Sequence, residues 1–279
     1  MIYRPATLRG KGERLTMVRP YLKDKLSGLG SEHNPGRRIV GTHIEMADSI
    51  CSEVLGRVGY DFVLIDADDS EHSYTSLRNH MTVLNSESTP TVARVSGNLQ
   101  SHVSRVLELG PDGIIFPAVS TAEEADNVMS LCLYPPDGRR RFSPLRAVGY
   151  GLDDAMRCVR QDSLAMCRFI QLDSAAALRN LPEIVKNPLI DGFFFSPGEV
   201  CRPDGTPDGV YGEDGISMLR RAADCITAAG KPFGVSVLRS GTGMLTFWLE
   251  LGARIIASGV DFGYILGGAA DNLRAIRNL

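Results

Sequence analysis

Eight short apolar runs of strand length, each followed by a segment with helical spacing, occupy the chain from residue 38 to its end. The runs cover residues 38–44, 61–66, 91–95, 113–116, 167–172, 190–195, 232–237 and 254–258. The helical segments cover 47–58, 74–84, 99–109, 122–131, 175–185, 215–229, 241–251 and 262–276. Apolar strands alternating with amphipathic helices require a parallel sheet with right-handed crossovers, and eight such units predict a (β/α)8 TIM barrel. A barrel of this kind needs about 250 residues, so 279 residues hold one such domain. Residues 37–279 are assigned to the barrel, and residues 1–36 to a polar N-terminal arm with one short helix around 21–27. Gly59, Gly110, Gly230 and Gly252 stand just past predicted helix ends, where a left-handed residue is favoured. The longest irregular stretches are 134–151 and 196–212, which read either as functional lids or as surface loops.

The net charge of −3 gives no basic excess for nucleic acid or an anionic membrane. The six cysteines are scattered, with no Cys-x-x-Cys pair, and read as reduced thiols of a cytoplasmic protein. No run approaches transmembrane length.

Catalytic groups of such barrels sit at the C-terminal strand ends. Polar residues gather there: Asp66-Ala67-Asp68-Asp69 after the second strand, Arg94 in the third, Gln171 and Asp173 at the fifth, and Ser196-Pro197-Gly198-Glu199 at the sixth. Asp173 and Glu199 would make a hard, oxygen-rich site suited to Mg²⁺ or Mn²⁺, with Co²⁺ also open. A buried Arg94 is costly unless paired, so it reads as a carbonyl-polarising group or as a structural ion pair. His43, ending the first strand, reads as a satisfied core histidine, with a place facing the site as the alternative. Trp248 reads as packing.

Five segments carry a family resemblance. They are Gly59-Tyr-Asp-Phe-Val-Leu-Ile-Asp66, Val92-Ala-Arg94, Tyr134-Pro-Pro-Asp-Gly-Arg-Arg140, Phe169-Ile-Gln-Leu-Asp173 with Asn180-Leu-Pro-Glu-Ile184, and Asp191-Gly-Phe-Phe-Phe-Ser-Pro-Gly-Glu199. In order and spacing the chain resembles the HpcH/HpaI aldolases, typified by 4-hydroxy-2-oxoheptanedioate and 2-dehydro-3-deoxyglucarate aldolases. The resemblance implies a divalent-metal-dependent carbon–carbon lyase that acts on a pyruvate-type 2-oxo acid through a metal-bound enolate. It implies Asp173 and Glu199 as metal ligands, Arg94 as enolate stabiliser and Gln171 as an orienting group. Ser196, Pro197 and Gly198 would form the carboxylate-binding turn. The small-molecule substrate would meet Arg140 of the Arg139-Arg140-Arg141 cluster, with Arg146, at the mouth, although a solvated or inter-subunit loop is the alternative. A homo-oligomer, hexamer or trimer, that exchanges its last helix between subunits is also implied.

Three departures stand out. Asp and Glu are swapped in the ligand pair. The turn is Ser-Pro-Gly-Glu where the family has Gly-Pro-Ala-Asp. Asp69 replaces the family's catalytic histidine, with His72 three residues on as a substitute base or a solvated helix-start residue. An aspartate is poorly matched to base catalysis at neutral pH unless its pKa is raised. The altered base leaves open a decarboxylase or other enolate-forming enzyme with an oxaloacetate-like substrate, and a non-catalytic metabolite-binding barrel.

Overall fold

The structure is a computed structural model and describes residues 22–29, 36–67, 70–152, 159, 163–197, 212–238 and 242–279. Within them the alternating pattern closes into a barrel of eight strands, β1 to β8 in chain order, every neighbouring pair parallel. The strands are β1 (Ile39–Ile44), β2 (Phe62–Asp66), β3 (Thr91–Arg94), β4 (Gly113–Phe116), β5 (Cys167–Leu172), β6 (Gly192–Phe195), β7 (Phe233–Val237) and β8 (Ile255–Val260). A short helix, α1 (Leu22–Ser27), precedes them. The returning helices are α2 (Ile50–Val58), α3 (Tyr74–Ser86), α4 (Gln100–Glu108), α5 (Ala122–Cys132), α6 (Ala175–Ile184), α7 (Glu213–Ala228), α8 (Thr242–Glu250) and α9 (Asp261–Arg277).

The predicted elements are present, with shifts at their ends. The first returning helix begins at Ile50 rather than 47, because the Asp48 carboxylate accepts the Ile50 amide at 2.9 Å and holds a turn there. β8 runs on to Val260 rather than stopping at 258. Between the pairs Gly41–Ala257 and His43–Val260, β8 gains one residue on β1, a bulge that Gly259 absorbs at φ 82. The four helix-terminating glycines take φ of 95, 73, 70 and 106, which only glycine adopts without steric cost.

Strand parity sorts the core into two shells. Ile39, Phe62, Leu64, Val92, Ile115, Cys167, Phe169, Phe194, Ile255 and Ala257 fill the barrel interior. Their alternates, among them Val63, Ile65, Ile114, Ile170, Phe193 and Phe195, pack outward on the helices. The interior mixes very large and very small residues. Phe169 and Phe194 meet edge to face at 5.2 Å, a favoured aromatic geometry. Gly41 lies so close to the Phe62 ring that an added Cβ would be 2.5 Å from it. Gly234 is equally constrained by the Ile255 carbonyl.

The lower opening is closed by α1. Leu22 and Leu26 join the interior cluster. Lys25 bonds the carboxylate and carbonyl of Asp61 at 3.0 Å each, just below β2, and Lys23 pairs with Asp191 at 3.2 Å, just below β6. The upper opening carries the polar strand ends. Helix starts around it are capped by Ser73, by Ser174, and by a full capping box of Thr121 with Glu124. No helix among the described residues is long and apolar enough to cross a membrane.

Candidate active site

Asp66 closes β2 and Arg94 closes β3, and the ladder pairs them directly. Parity turns both inward, above Leu64 and Val92. The Arg94 Nε donates to Asp66 Oδ1 at 3.0 Å, and its Nη2 donates to Oδ2. The side chains are only 12% and 6% exposed. A buried ion pair loses much of its Coulomb gain to desolvation, so stability alone is a weak reason for one here. What it does provide is a fixed guanidinium at the mouth.

Gln171 ends the inward row of β5, and Asp173 lies one residue past the strand. The Ala118 amide donates to Asp173 Oδ2 at 2.7 Å from a left-handed backbone, φ 54, unusual for a residue with a Cβ. The Gln171 side chain also bonds Asp173. Burial nevertheless pushes the Asp173 carboxyl above the usual aspartate range, against the opposing effects of the Ala118 amide, its own amide, Gln171 and Arg94. Asp173 is thus a partly desolvated carboxylate, a hard oxygen donor of the kind a divalent cation takes. Among the described residues no three His, Cys, Asp or Glu side chains converge on one point. The second expected ligand, Glu199, lies outside the described residues, as do Gly198, Asp68 and the candidate base Asp69. Of the expected ligand pair, the described residues include Asp173, whose carboxylate is the donor type a hard cation takes. Ser196 is half-buried just past β6, its amide 3.3 Å from the Leu172 carbonyl, and Pro197 beside it is buried.

His72 is half-buried against the end of β1. Its Nε2 donates to the Ile44 carbonyl at 3.3 Å, and its ring meets His80 edge to face at 4.9 Å. Burial lowers its pKa, and Asp261 and Asp66 act in the opposite direction. The imidazole is therefore near the Asp66 carboxylate but tied to strand backbone and to the helix layer.

Arg140 is a correction. Its side chain is not at the mouth: it is 1% exposed, donates to the Leu107 carbonyl at 3.3 Å, faces Glu108 at 3.7 Å and covers the Tyr134 ring at 4.6 Å. Leu107 and Glu108 end α4, which descends from the mouth, so these contacts lie toward the opposite end of the barrel. Arg146 likewise donates to Leu109 and Met81 carbonyls. Both guanidiniums staple the 134–151 loop onto backbone carbonyls of α3 and of the end of α4. Arg139 is held by Ser130 and Asn127 of α5. Trp248, as expected, is packing, fully buried 5.0 Å from the Phe195 ring.

The structure adds one element to the mouth. His43 is 2% exposed, and its Nε2 lies 2.8 Å from Ser236 Oγ, while Nδ1 lies 2.7 Å from the Gly259 carbonyl. β8 separates β1 from β7 in the barrel, so the His43–Ser236 bond crosses the interior, above the small Ala257. Parity holds the signal: His43 continues the inward row Ile39, Gly41, and Ser236 follows Gly234.

A profile of the HpcH/HpaI aldolase/citrate lyase family matches residues 40–266. The chain belongs to this family. It is 29% identical over 233 residues to the hydroxypyruvate/pyruvate aldolase of Roseobacter denitrificans, covering 83% of this chain and 90% of that one. It is 29% identical over 240 residues to the 4-hydroxy-2-oxo-heptane-1,7-dioate aldolase of Salmonella dublin, covering 84% and 88%. A family protein from Burkholderia cenocepacia superposes with a TM-score of 0.83 at 21% identity, covering 92% of this chain and 98% of its own, a likeness of fold. Family membership and the closed barrel agree with the resemblance carried by the five segments.

Proposed function

We propose that the protein is a divalent-metal-dependent carbon–carbon lyase that cleaves or forms the bond next to a pyruvate-type 2-oxo acid. The observation that carries this reading is the juxtaposition at one barrel mouth of a half-buried carboxylate, Asp173, and an inward guanidinium, Arg94, in a chain whose named relatives are aldolases. Asp173, with Glu199, would hold Mg²⁺, Mn²⁺ or Co²⁺, and Gln171 would orient the 2-oxo acid beside it. The cation, when bound, supplies Lewis acidity toward the 2-oxo group. Arg94 faces the oxygen on which negative charge grows as the pyruvate enolate forms, and Asp66 holds its guanidinium in place. Ser196, Pro197 and Gly198 would receive the substrate carboxylate on the strand-six turn. Asp69 and His72 remain the candidate bases on the β2 side. Oxaloacetate decarboxylation is a second reading, favoured by Asp69 standing where the family has its histidine, because loss of CO₂ generates the same enolate without removing a methyl proton.

Beyond Asp261, α9 presents the exposed apolar side chains Phe262, Ile265, Leu266, Leu273 and Ile276. These support an assembly in which the helix packs on a second copy of the chain.

The test is Mn²⁺-dependent deuterium exchange into the pyruvate methyl group by NMR, with oxaloacetate decarboxylation followed in the same samples. Wild type should exchange, and Asp173→Ala should lose both the exchange and stoichiometric Mn²⁺ binding by calorimetry. Retained stoichiometric binding in Asp173→Ala would sink the ligand assignment.

A further inference from the structure

Resting on that enolate reading, we infer that Ser236 and His43 form a proton relay serving the second substrate, the aldehyde half of the reaction. Three features carry it. The hydrogen bond between them crosses the interior from β7 to β1, within electrostatic reach of both Asp66 and Arg94. The far ring nitrogen is tied to a carbonyl that the β8 bulge delivers: Gly259 takes φ 82, and a side chain there would collide with the Tyr264 hydroxyl. A carbonyl only accepts, so Nδ1 carries a proton, and in the neutral ring Nε2 accepts from the Ser236 hydroxyl. Ser236 is half-buried while His43 is closed off, so the serine oxygen presents its remaining lone pairs to the mouth.

This arrangement suits a carbinol hydroxyl. In cleavage, the carbinol O–H gives its proton to Ser236 Oγ as the serine proton passes to His43 Nε2. The O–H electrons become the aldehyde C=O bond, and the breaking C–C pair becomes the 2-oxo acid enolate, which takes a proton from water. His43 then returns its proton to solvent through Ser236, so the balance closes without a redox partner. In addition the same path runs backward and protonates the new alkoxide. Ser236 touches the reacting hydroxyl, and His43 acts through it as a positioning residue. The charged groups facing His43 are Asp66, Arg94 and Asp261. Burial lowers its pKa below 6.5 despite the Gly259 carbonyl and the two carboxylates, so the ring is neutral and basic at neutral pH.

The experiment compares Mn²⁺-loaded wild type, His43→Asn and Ser236→Ala in two reactions: oxaloacetate decarboxylation, and addition of pyruvate to glycolaldehyde as the probe aldehyde. In both variants the ratio of addition to decarboxylation should fall about 10²-fold, as for loss of a general acid–base group. The fall should lie in kcat rather than in KM for pyruvate. The limb of addition that falls as pH rises below 6.5, where His43 loses the proton it passes to the alkoxide, should vanish in both, and Ser236→Thr should restore much of it. ¹⁵N NMR of wild type should show His43 protonated on Nδ1, with the Nε2 signal moving in Ser236→Ala. If His43→Asn does not fold, Ser236→Ala decides alone. An unchanged ratio or a surviving limb overturns the relay. Wild-type decarboxylation with no addition at any pH overturns it as well, while the enolate reading stands. Absence of both methyl exchange and decarboxylation in Mn²⁺-loaded wild type removes the enolate reading itself.

Discussion

The lower and upper halves of the barrel interior are built from the same strands, two residues apart, and differ in what those residues satisfy. Below, Phe62 and Phe169 interlock with Gly41, Gly113 and Gly192, Phe194 packs on both rings, Gly234 lies against Ile255, and α1 seals the floor with two leucines. The side chains inside it are apolar, and the ion pairs Lys25–Asp61 and Lys23–Asp191 lie at its rim. Above, the next inward residues are His43, Asp66, Arg94, Gln171 and Ser236, each hydrogen-bonded to a specific partner. The floor holds the strands in register by packing. That rigidity lets the mouth keep charged and polar groups in fixed directions, which catalysis by preorganised groups requires.

The largest effect that separates the halves is expected from Phe194→Ala. Removing a fully buried ring at the centre of the aromatic cluster should cost about 3–5 kcal/mol in denaturant unfolding. The rate of pyruvate methyl exchange, measured well below the melting temperature, should change little. A matching collapse of exchange would show that the two halves are not separable. Next comes Arg94→Lys, which keeps a charge opposite Asp66 but loses the paired Nε and Nη2 bonds. Turnover should fall about 10²–10³-fold, as for loss of an oriented donor to a developing oxyanion, while the melting temperature and Mn²⁺ affinity change far less. Unchanged kinetics would leave Arg94 as a structural partner of Asp66 only.

The smallest effect is pH-dependent. Burial lowers the pKa of His43, His72 and His80, the last from 6.5 to about 4, with the nearby His72 acting in the same direction. A histidine whose folded pKa is depressed binds its proton more readily when unfolded. Its neutral burial is therefore fully tolerated above 6.5 and increasingly opposed as pH falls toward about 4. Stability should drop across that window, and hydrogen exchange should rise first in α3 and the upper end of β1, where these rings sit. His80→Gln should flatten the drop. Equal loosening of the floor would erase the distinction between the halves.

Much of this was readable along the chain. Apolar runs of strand length separated by helical spacing specify the barrel, because parallel strands buried on both faces need near-continuous apolar sequence. The strand ends were legible to within a few residues, and with them the inward direction of Asp66, Arg94 and Gln171. Arg94 and Arg140 mark where that legibility stops. Both are largely buried arginines within segments that carry the family resemblance, but the first sits in a strand, where period-two alternation dictates its direction. The second sits in a loop, and its direction depends on which helix carbonyls the loop happens to reach. The sequence by itself therefore determined the barrel, the order of its elements and the ring of polar residues at one end, since these follow from local periodicity and chain direction. Only the tertiary structure decided that Arg140 and Arg146 turn away to staple backbone carbonyls, and that His43 and Ser236, 193 positions apart, meet across β8. Such contacts depend on barrel closure and on a one-residue bulge, and neither leaves a periodic trace in the chain.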